Sequence, residues 1–220
     1  MKPFQFHIGS IPVQVHPLFL LTAALLGAGG STQLVPLVVW IVVVFVGVLL
    51  HELGHALAGR AFGLDPEIDL LAFGGLTSWR GGGKSAIGTA KRVAISVAGP
   101  FTGIAIGGAV WIYQRSLQDS GQVPSSLVWL LLTDIWFVNF FWGAVNLLPI
   151  LPLDGGNVLF AVAQKVTRGN GERPARMISL VVAGAIALYS LSRGSIFNAV
   201  FAGLFALQNF QALRALGARD

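Results

Sequence analysis

Cysteine is absent from this 220-residue sequence, which excludes both a disulfide framework and a thiolate metal site. Charged residues are also scarce, since Asp, Glu, Lys and Arg make up 10% of the chain, against roughly 25% in soluble domains. None of them lies between Lys2 and Glu52, or between Arg92 and Arg115. Because a spanning helix needs roughly 20 apolar residues, the sequence predicts a polytopic membrane protein and excludes an ordinary soluble globule.

Apolar residues make up 55% of the chain, and 28 Gly and 6 Trp fit close helix packing and interfacial anchoring. Residues 67–80 alternate in part and are broken by two glycines, which predicts a membrane-associated β-hairpin or sheet that ends in a glycine-rich turn at 81–83. The predicted fold is a single all-α membrane domain over residues 1–220. Its transmembrane helices number about six, at about 17–28, 36–62, 93–114, 126–148, 175–191 and 196–213, with a partly buried helix at 155–166.

Basic residues set the predicted orientation. Of the 14 Lys and Arg, 12 fall on one predicted side of the membrane, and only Arg115 and Arg193 fall on the other. The positive-inside rule then places both termini and the far end of the second helix toward the cytoplasm. The net charge of +5 is explained by these basic residues, which mark the cytoplasmic side of a membrane protein. A nucleic-acid partner is therefore not expected.

The second predicted span ends in His51-Glu52-Leu53-Gly54-His55. Residues four apart in a helix differ by about 40° in azimuth, so His51 and His55 project from one face and can bind one zinc ion. Glu52 flanks the pair, and its carboxylate suits a general base for a water whose pKa zinc lowers toward about 7. An ionisable residue in an apolar span costs several kcal/mol, which argues against an incidental occurrence.

A catalytic zinc site normally has three protein ligands, and the sequence leaves several candidates for the third. Asp154 is favoured, because two prolines break the chain before it and two glycines after it permit close backbone approach. Asp134 lies in mid-span, where a helix-to-helix hydrogen bond and a catalytic role are both open. The remaining candidates are His7, expected to be solvated, His16, expected at a helix start, and Asp65 and Asp69.

These motifs resemble the site-2 protease family of intramembrane zinc metalloproteases. The resemblance rests on the HExxH motif at 51–55 and on Asn146, Pro149 and the Leu-Asp-Gly-Gly run at 153–156. Weaker similarities are His16-Pro17, Phe73-Gly74-Gly75 and Ala98-Gly99-Pro100. Gly103 departs from the pattern, because many family members have Asn there, so that polar contact is missing. The chain is similar to the minimal type without a PDZ or CBS domain.

The resemblance implies that His51, His55 and Asp154 bind one zinc ion per chain and that Glu52 is the catalytic base. It implies a role near the site for Asn146, either on the substrate backbone or oxyanion or as a helix-to-helix hydrogen bond. It also implies a catalytic core at about 36–156 and outer helices at about 15–30 and 173–214.

The function expected from these features is hydrolysis of peptide bonds within or near transmembrane segments of membrane-anchored proteins, in a bacterial or archaeal plasma membrane. The substrate is expected to have an unwindable transmembrane helix, and residues 67–80 either pair with it as a strand edge or are plainly structural. Two alternatives remain. One is a metal transporter, which would need several metal-ligand sites along a transport path, and the other is a catalytically idle membrane scaffold.

Overall fold

The computed structural model describes residues 3–28, 33–81 and 87–218. The glycine-rich turn predicted at 81–83 therefore lies mostly outside the described residues, as do Lys2, Lys84 and Arg219 of the charge count. The described elements follow one another as β1 (Phe4–Ile8), β2 (Ile11–Val15), α1 (Pro17–Ala28), α2 (Leu34–Ala61), β3 (Asp65–Leu71), β4 (Gly74–Arg80), α3 (Thr89–Asp119), α4 (Ser126–Trp136), a π-helical turn (Phe137–Phe141), α5 (Trp142–Asn146), α6 (Asp154–Val166), α7 (Glu172–Ser192) and α8 (Ile196–Gly217).

Helices dominate this fold and a small sheet accompanies them, which confirms the predicted fold class. Five helical stretches of the described residues are long and apolar enough to cross a membrane: Leu34–Ala61, Thr89–Asp119, Ser126–Asn146, Glu172–Ser192 and Ile196–Gly217. The remaining predicted span is α1, a helix of 12 residues, shorter than the roughly 20 that a bilayer core needs. The partly buried helix predicted at 155–166 is α6.

Large apolar side chains lie exposed along these helices, as expected where lipid is the solvent. On α2 the exposed residues Val38, Val42 and Val46 recur every four positions, which places them on one face of the helix. Val43 and Gly47 of α2, each one position after an exposed valine, are buried. The helix therefore has one apolar face for lipid and another for protein packing.

The chain divides into two compact units. The first comprises residues 1–87 and 98–145, and the second comprises residues 88–97 and 146–220. Each is described below by itself.

The first unit contains a four-stranded sheet in the order β1-β2-β3-β4. Strand β2 pairs antiparallel with β1 and parallel with β3, and β3 pairs antiparallel with β4. The sequence prediction found the β3–β4 hairpin but missed β1 and β2. Their signal was present, because Gln5, His7 and Gln14 alternate with apolar residues around a glycine turn at Gly9, whose φ is +60°.

One face of the sheet packs against α1 and the second half of α2. Its buried centre consists of Ile11, Val13, Val15, Phe19, Ala56, Ile68 and Leu70. Ala56 directly follows His55 on α2, so this apolar core fixes the end of the helix that carries the HExxH motif. At the far end of the β3–β4 hairpin, Arg80 donates a hydrogen bond of 2.7 Å to Asp65, and this bond raises the pKa of the Arg80 guanidinium.

The second unit consists mainly of α6, α7 and α8, with α7 and α8 packed along each other and α6 against α7. Small residues allow this close packing: Ala175, Ser179 and Ala183 are buried at four-residue intervals on α7, and Ala199 and Ala202 are buried on α8. The loop Leu147–Leu153, which contains a cis bond between Leu151 and Pro152, precedes α6.

Candidate metal centre and catalytic base

The two histidines of α2 lie side by side, as their four-residue spacing predicts. The Nε2 atoms of His51 and His55 are 3.2 Å apart, and the rings meet edge to face with centroids separated by 4.9 Å. His55 is buried and His51 is half-buried. Imidazole nitrogens of two histidines converge here on one point of the α2 surface, and this arrangement can hold a metal ion.

Glu52 is buried beside this pair, and strand β4 holds its carboxylate. The Thr77 hydroxyl lies 2.6 Å from Oε2 of Glu52 and 3.1 Å from the Glu52 backbone oxygen. The shorter contact is typical of a hydrogen bond donated to an ionised oxygen. Gly75 of the same strand lies against the Glu52 side chain so closely that an added Cβ would collide with its Cγ and carboxylate. Strand β4 thus both covers and orients Glu52.

Glycines in the motifs permit close packing around the histidines. An added Cβ at Gly99 of α3 would collide with the His55 ring, and one at Gly54 of α2 would lie 2.7 Å from the Ala98 carbonyl oxygen. These contacts give a physical reason for the weaker motifs at 73–75 and 98–100, which the sequence alone left without a role. An added Cβ at Gly103 would lie 2.7 Å from the Asn139 backbone oxygen, so Asn at that position would not fit this packing.

Asp154 lies in the second unit as the first residue of α6. The N-terminus of a helix favours a carboxylate, because the unpaired N–H groups carry partial positive charge. An added Cβ at Gly155 would collide with the Leu147 carbonyl, and one at Gly156 with the Ile150 backbone. The two glycines therefore pack the first turn of α6 directly onto the preceding loop. Asn146 is half-buried at the end of α5 and begins this unit.

The other candidates for a metal ligand have different surroundings. Asp65 bonds to Arg80. Asp69 lies 3.8 Å from His16, which lies between β2 and α1 and donates its backbone N–H to the Leu70 carbonyl oxygen. His7 is exposed on β1, as predicted. Asp134 lies on α4 beside Thr133, whose hydroxyl accepts a hydrogen bond of 3.3 Å from Gln114 of α3.

Comparison of this chain with known proteins identifies its family. Residues 104–190 match the model of peptidase family M50. The chain is 33% identical over 198 residues to a candidate zinc metalloprotease of Synechocystis, covering 83% of this chain and 48% of the relative. It is 29% identical over 163 residues to a zinc metalloprotease of Methanocaldococcus jannaschii, covering 73% and 45%. The chain belongs to peptidase family M50.

A third relative is the stage IV sporulation protein FB of Bacillus subtilis, 31% identical over 156 residues, which are 70% of this chain and 49% of the relative. The M50 chain thus spans about half the length of the curated relatives it matches. Its fold is that of the solved site-2 protease from M. jannaschii, with a TM-score of 0.65 over 96% of this chain and 95% of the other, at 24% identity. The resemblance drawn from the motifs is confirmed.

Sequence reasoning missed three side chains of this M50 chain that touch the candidate site residues or their loop. Thr77 bonds to Glu52, and Ser179 and Asn209 bond to the loop before Asp154. For Asn209 a signal existed, because it is a polar residue inside an apolar span, and such residues are functional candidates by default. Thr77 and Ser179 have no comparable signal, since hydroxyl residues are common in strands and helices of any protein.

Proposed function

We propose that this chain is an intramembrane zinc endopeptidase that hydrolyses peptide bonds within or near transmembrane segments of membrane-anchored proteins. One observation carries the proposal. In a helix long enough to cross a membrane, two histidine nitrogens lie 3.2 Å apart beside a buried carboxylate that accepts a hydrogen bond. The names of two relatives as zinc metalloproteases support it.

The histidine pair fits zinc. Two Zn–N bonds of about 2.0–2.1 Å at a tetrahedral angle place their nitrogens about 3.3–3.4 Å apart, close to the observed 3.2 Å. We propose Asp154 as the third ligand, with one zinc ion per chain. The resemblance supports this assignment, and so does the chemistry of the donor set, since two imidazoles and one carboxylate form a common set of catalytic zinc ligands.

When bound, zinc supplies Lewis acidity and lowers the pKa of a water toward about 7. Glu52 is the proposed base: its carboxylate accepts the proton of the attacking water and donates it to the departing amine nitrogen. Thr77 keeps that carboxylate in one orientation during both transfers. Asn146 is proposed to donate hydrogen bonds to the substrate backbone or to the oxygen that becomes negative during the attack.

Strand β4 is the proposed docking edge for substrate. It is the last strand in the order of the described sheet, so its outer backbone groups are available for pairing. A transmembrane helix hides its carbonyls in its own hydrogen bonds and must unwind before cleavage. Pairing with β4 replaces some of those bonds with little demand on sequence, beside Thr77 and Gly75, which contact Glu52.

Multiple apolar helices and the M50 family make this a multi-pass membrane protein. We further propose that the HExxH end of α2 and both termini face the cytoplasm of a bacterial or archaeal plasma membrane, which the charge count of 12 to 2 supports. A Cys at Asn170 should then react with an impermeant thiol reagent only in opened cells, and a Cys at Gln122 should react in intact cells. Labelling of the Asn170 variant from outside would reverse the orientation.

Replacing Glu52 with Gln tests the enzymatic proposal. The change keeps size and leaves both histidines in place, so bound zinc should stay near one per chain, while cleavage of a single-span reporter should fall by about 10²- to 10⁴-fold. Asp119→Asn makes the same chemical change at an exposed residue of α3 and should cleave normally. Undiminished cleavage by Glu52→Gln would refute the mechanism, and zinc transport without cleavage by the native chain would favour a transporter.

A further inference from the structure

Leu151 in the loop before Asp154 has both backbone groups bonded to side chains from α7 and α8. The Leu151 N–H donates to the Ser179 hydroxyl oxygen at 2.9 Å, and the Asn209 amide donates to the Leu151 carbonyl oxygen at 2.7 Å. Ser179 and Asn209 are each 0% exposed. Buried polar side chains in apolar helices are costly unless their hydrogen bonds are made, and here those bonds hold a loop.

Both N–H groups and the Oδ1 of the Asn209 side chain have hydrogen-bond partners. Its second N–H donates to the Phe205 carbonyl oxygen at 2.9 Å, and its Oδ1 accepts from Arg176 at 3.4 Å. Arg176 in turn donates two bonds of 3.3 Å to Glu172, one turn earlier on α7. Ser179 donates to the Ala175 carbonyl oxygen at 2.8 Å while it accepts from Leu151. Buried polar side chains whose hydrogen bonds are made, such as Ser179 and Asn209, specify one arrangement of the network.

Backbone contacts of the loop connect the position of Leu151 to that of Asp154. The Leu153 N–H donates to the Ile150 carbonyl oxygen at 2.8 Å, and Gly156 packs against the backbone of Ile150 and Leu151. Asp154 lies between these contacts at the start of α6. With Leu151 fixed, the position of the α6 N-terminus follows.

We propose that Ser179 and Asn209 form a clamp on Leu151 and are positioning residues for Asp154, so that α7 and α8 determine how firmly the chain retains zinc. The inference rests on the proposed function, in which Asp154 is a zinc ligand. Groups that orient a metal ligand typically contribute 10- to 100-fold in metal affinity or activity. The expected signature is faster metal loss, because a freed loop lets the carboxylate leave the ion.

The experiment measures zinc release from the full-length, zinc-loaded chain in detergent to an excess of chelator. Asn209→Leu keeps the size of the side chain but leaves the Leu151 carbonyl oxygen without its donor, and Ser179→Ala removes the acceptor of the Leu151 N–H. Each should release zinc about tenfold faster or more. Asn198→Leu, at an exposed position of α8, and Ser190→Ala, at a buried position of α7, are matched controls and should release zinc at the native rate.

A second measurement separates the clamp from general loss of stability. Hydrogen exchange in the zinc-free chain should accelerate at residues 147–153 in Asn209→Leu and Ser179→Ala. Ala202→Gly destabilises α8 without touching the clamp and should leave exchange in this loop unchanged. Native exchange and native zinc release in both clamp variants would overturn the inference.

Asp154→Ala distinguishes this failure from failure of the proposed ligand set. If Asp154→Ala loses zinc while both clamp variants retain it at the native rate, the clamp alone is refuted. If Asp154→Ala retains zinc with native kinetics, Asp154 is not a ligand, and the proposed metal site and the clamp are refuted together.

Discussion

The two units present their candidate site residues by different means. In the first, His51, Glu52 and His55 lie within five positions of one helix, so helix geometry brings them together. In the second, Asp154 follows an irregular loop whose shape depends on Ser179 and Asn209. The comparison teaches that helix spacing alone can bring the residues of a local motif together, whereas a residue that follows a loop is placed by side chains from distant parts of the chain.

Removal of the Asp154 carboxylate tests the second unit most severely. Asp154→Ala should reduce bound zinc far below one per chain and abolish cleavage, because two histidines alone hold zinc poorly. Asp134→Asn changes an acid of the first unit and should leave zinc near one per chain. Metal analysis of both purified variants decides the matter: zinc loss from Asp134→Asn together with retention by Asp154→Ala would reverse the ligand assignment.

Thr77 offers the complementary test in the first unit. Thr77→Val keeps the shape of the side chain but removes the hydrogen bond to Glu52. Hydrogen bonds to charged groups contribute about 1.5–3 kcal/mol, so kcat should fall by about 10- to 100-fold while KM and bound zinc stay near native values. Thr77→Ser keeps the hydroxyl and should restore most of the rate.

The control for this effect is Thr167→Val, because Thr167, directly after α6, donates its hydroxyl to the Ala163 carbonyl oxygen of that helix. It should cleave the reporter at the native rate. The Thr77 and clamp variants should therefore differ in what they change. Thr77→Val in the first unit should lower the cleavage rate at constant bound zinc, whereas the clamp variants in the second unit should release zinc faster. Equal zinc loss from Thr77→Val and Asn209→Leu would erase the distinction between the units.

The sequence predicted those features that local periodicity determines. The long helices, the β3–β4 hairpin and the histidine pair all follow from patterns within a few residues. The N-terminal hairpin was missed although its alternation was present, because two strands of five residues each offer few alternating positions. The shared ligand role of Asp154 stays a prediction.

The contacts that support the candidate site residues could not be predicted from the sequence, because the partners are far apart along the chain. Thr77 lies 25 residues from Glu52, and Ser179 and Asn209 lie 28 and 58 residues from Leu151. No spacing rule connects residues at such separations, since tertiary packing alone sets which side chains meet. An isolated Thr, Ser or Asn in a sequence gives no sign of which backbone group it will reach.

The smallest expected effect concerns the substrate, and it tests whether the β4 edge takes part in catalysis. A helix that must unwind to pair with β4 is easier to open at Gly, which is about 1 kcal/mol less favourable than Ala in a helix interior. Replacing one such Gly near the scissile bond with Ala should therefore slow cleavage of a synthetic segment about fivefold, and adding Pro beside a resistant site should accelerate it.

The same Gly→Ala change two turns away from the scissile bond is the matched control, because helix outside the opened region need not unwind. Rates measured with purified, zinc-loaded enzyme in detergent should separate the two positions. Identical rates across the series would mean that unwinding does not limit cleavage, and the β3–β4 hairpin would then be a structural element that holds Glu52 through Thr77 and takes no part in substrate pairing.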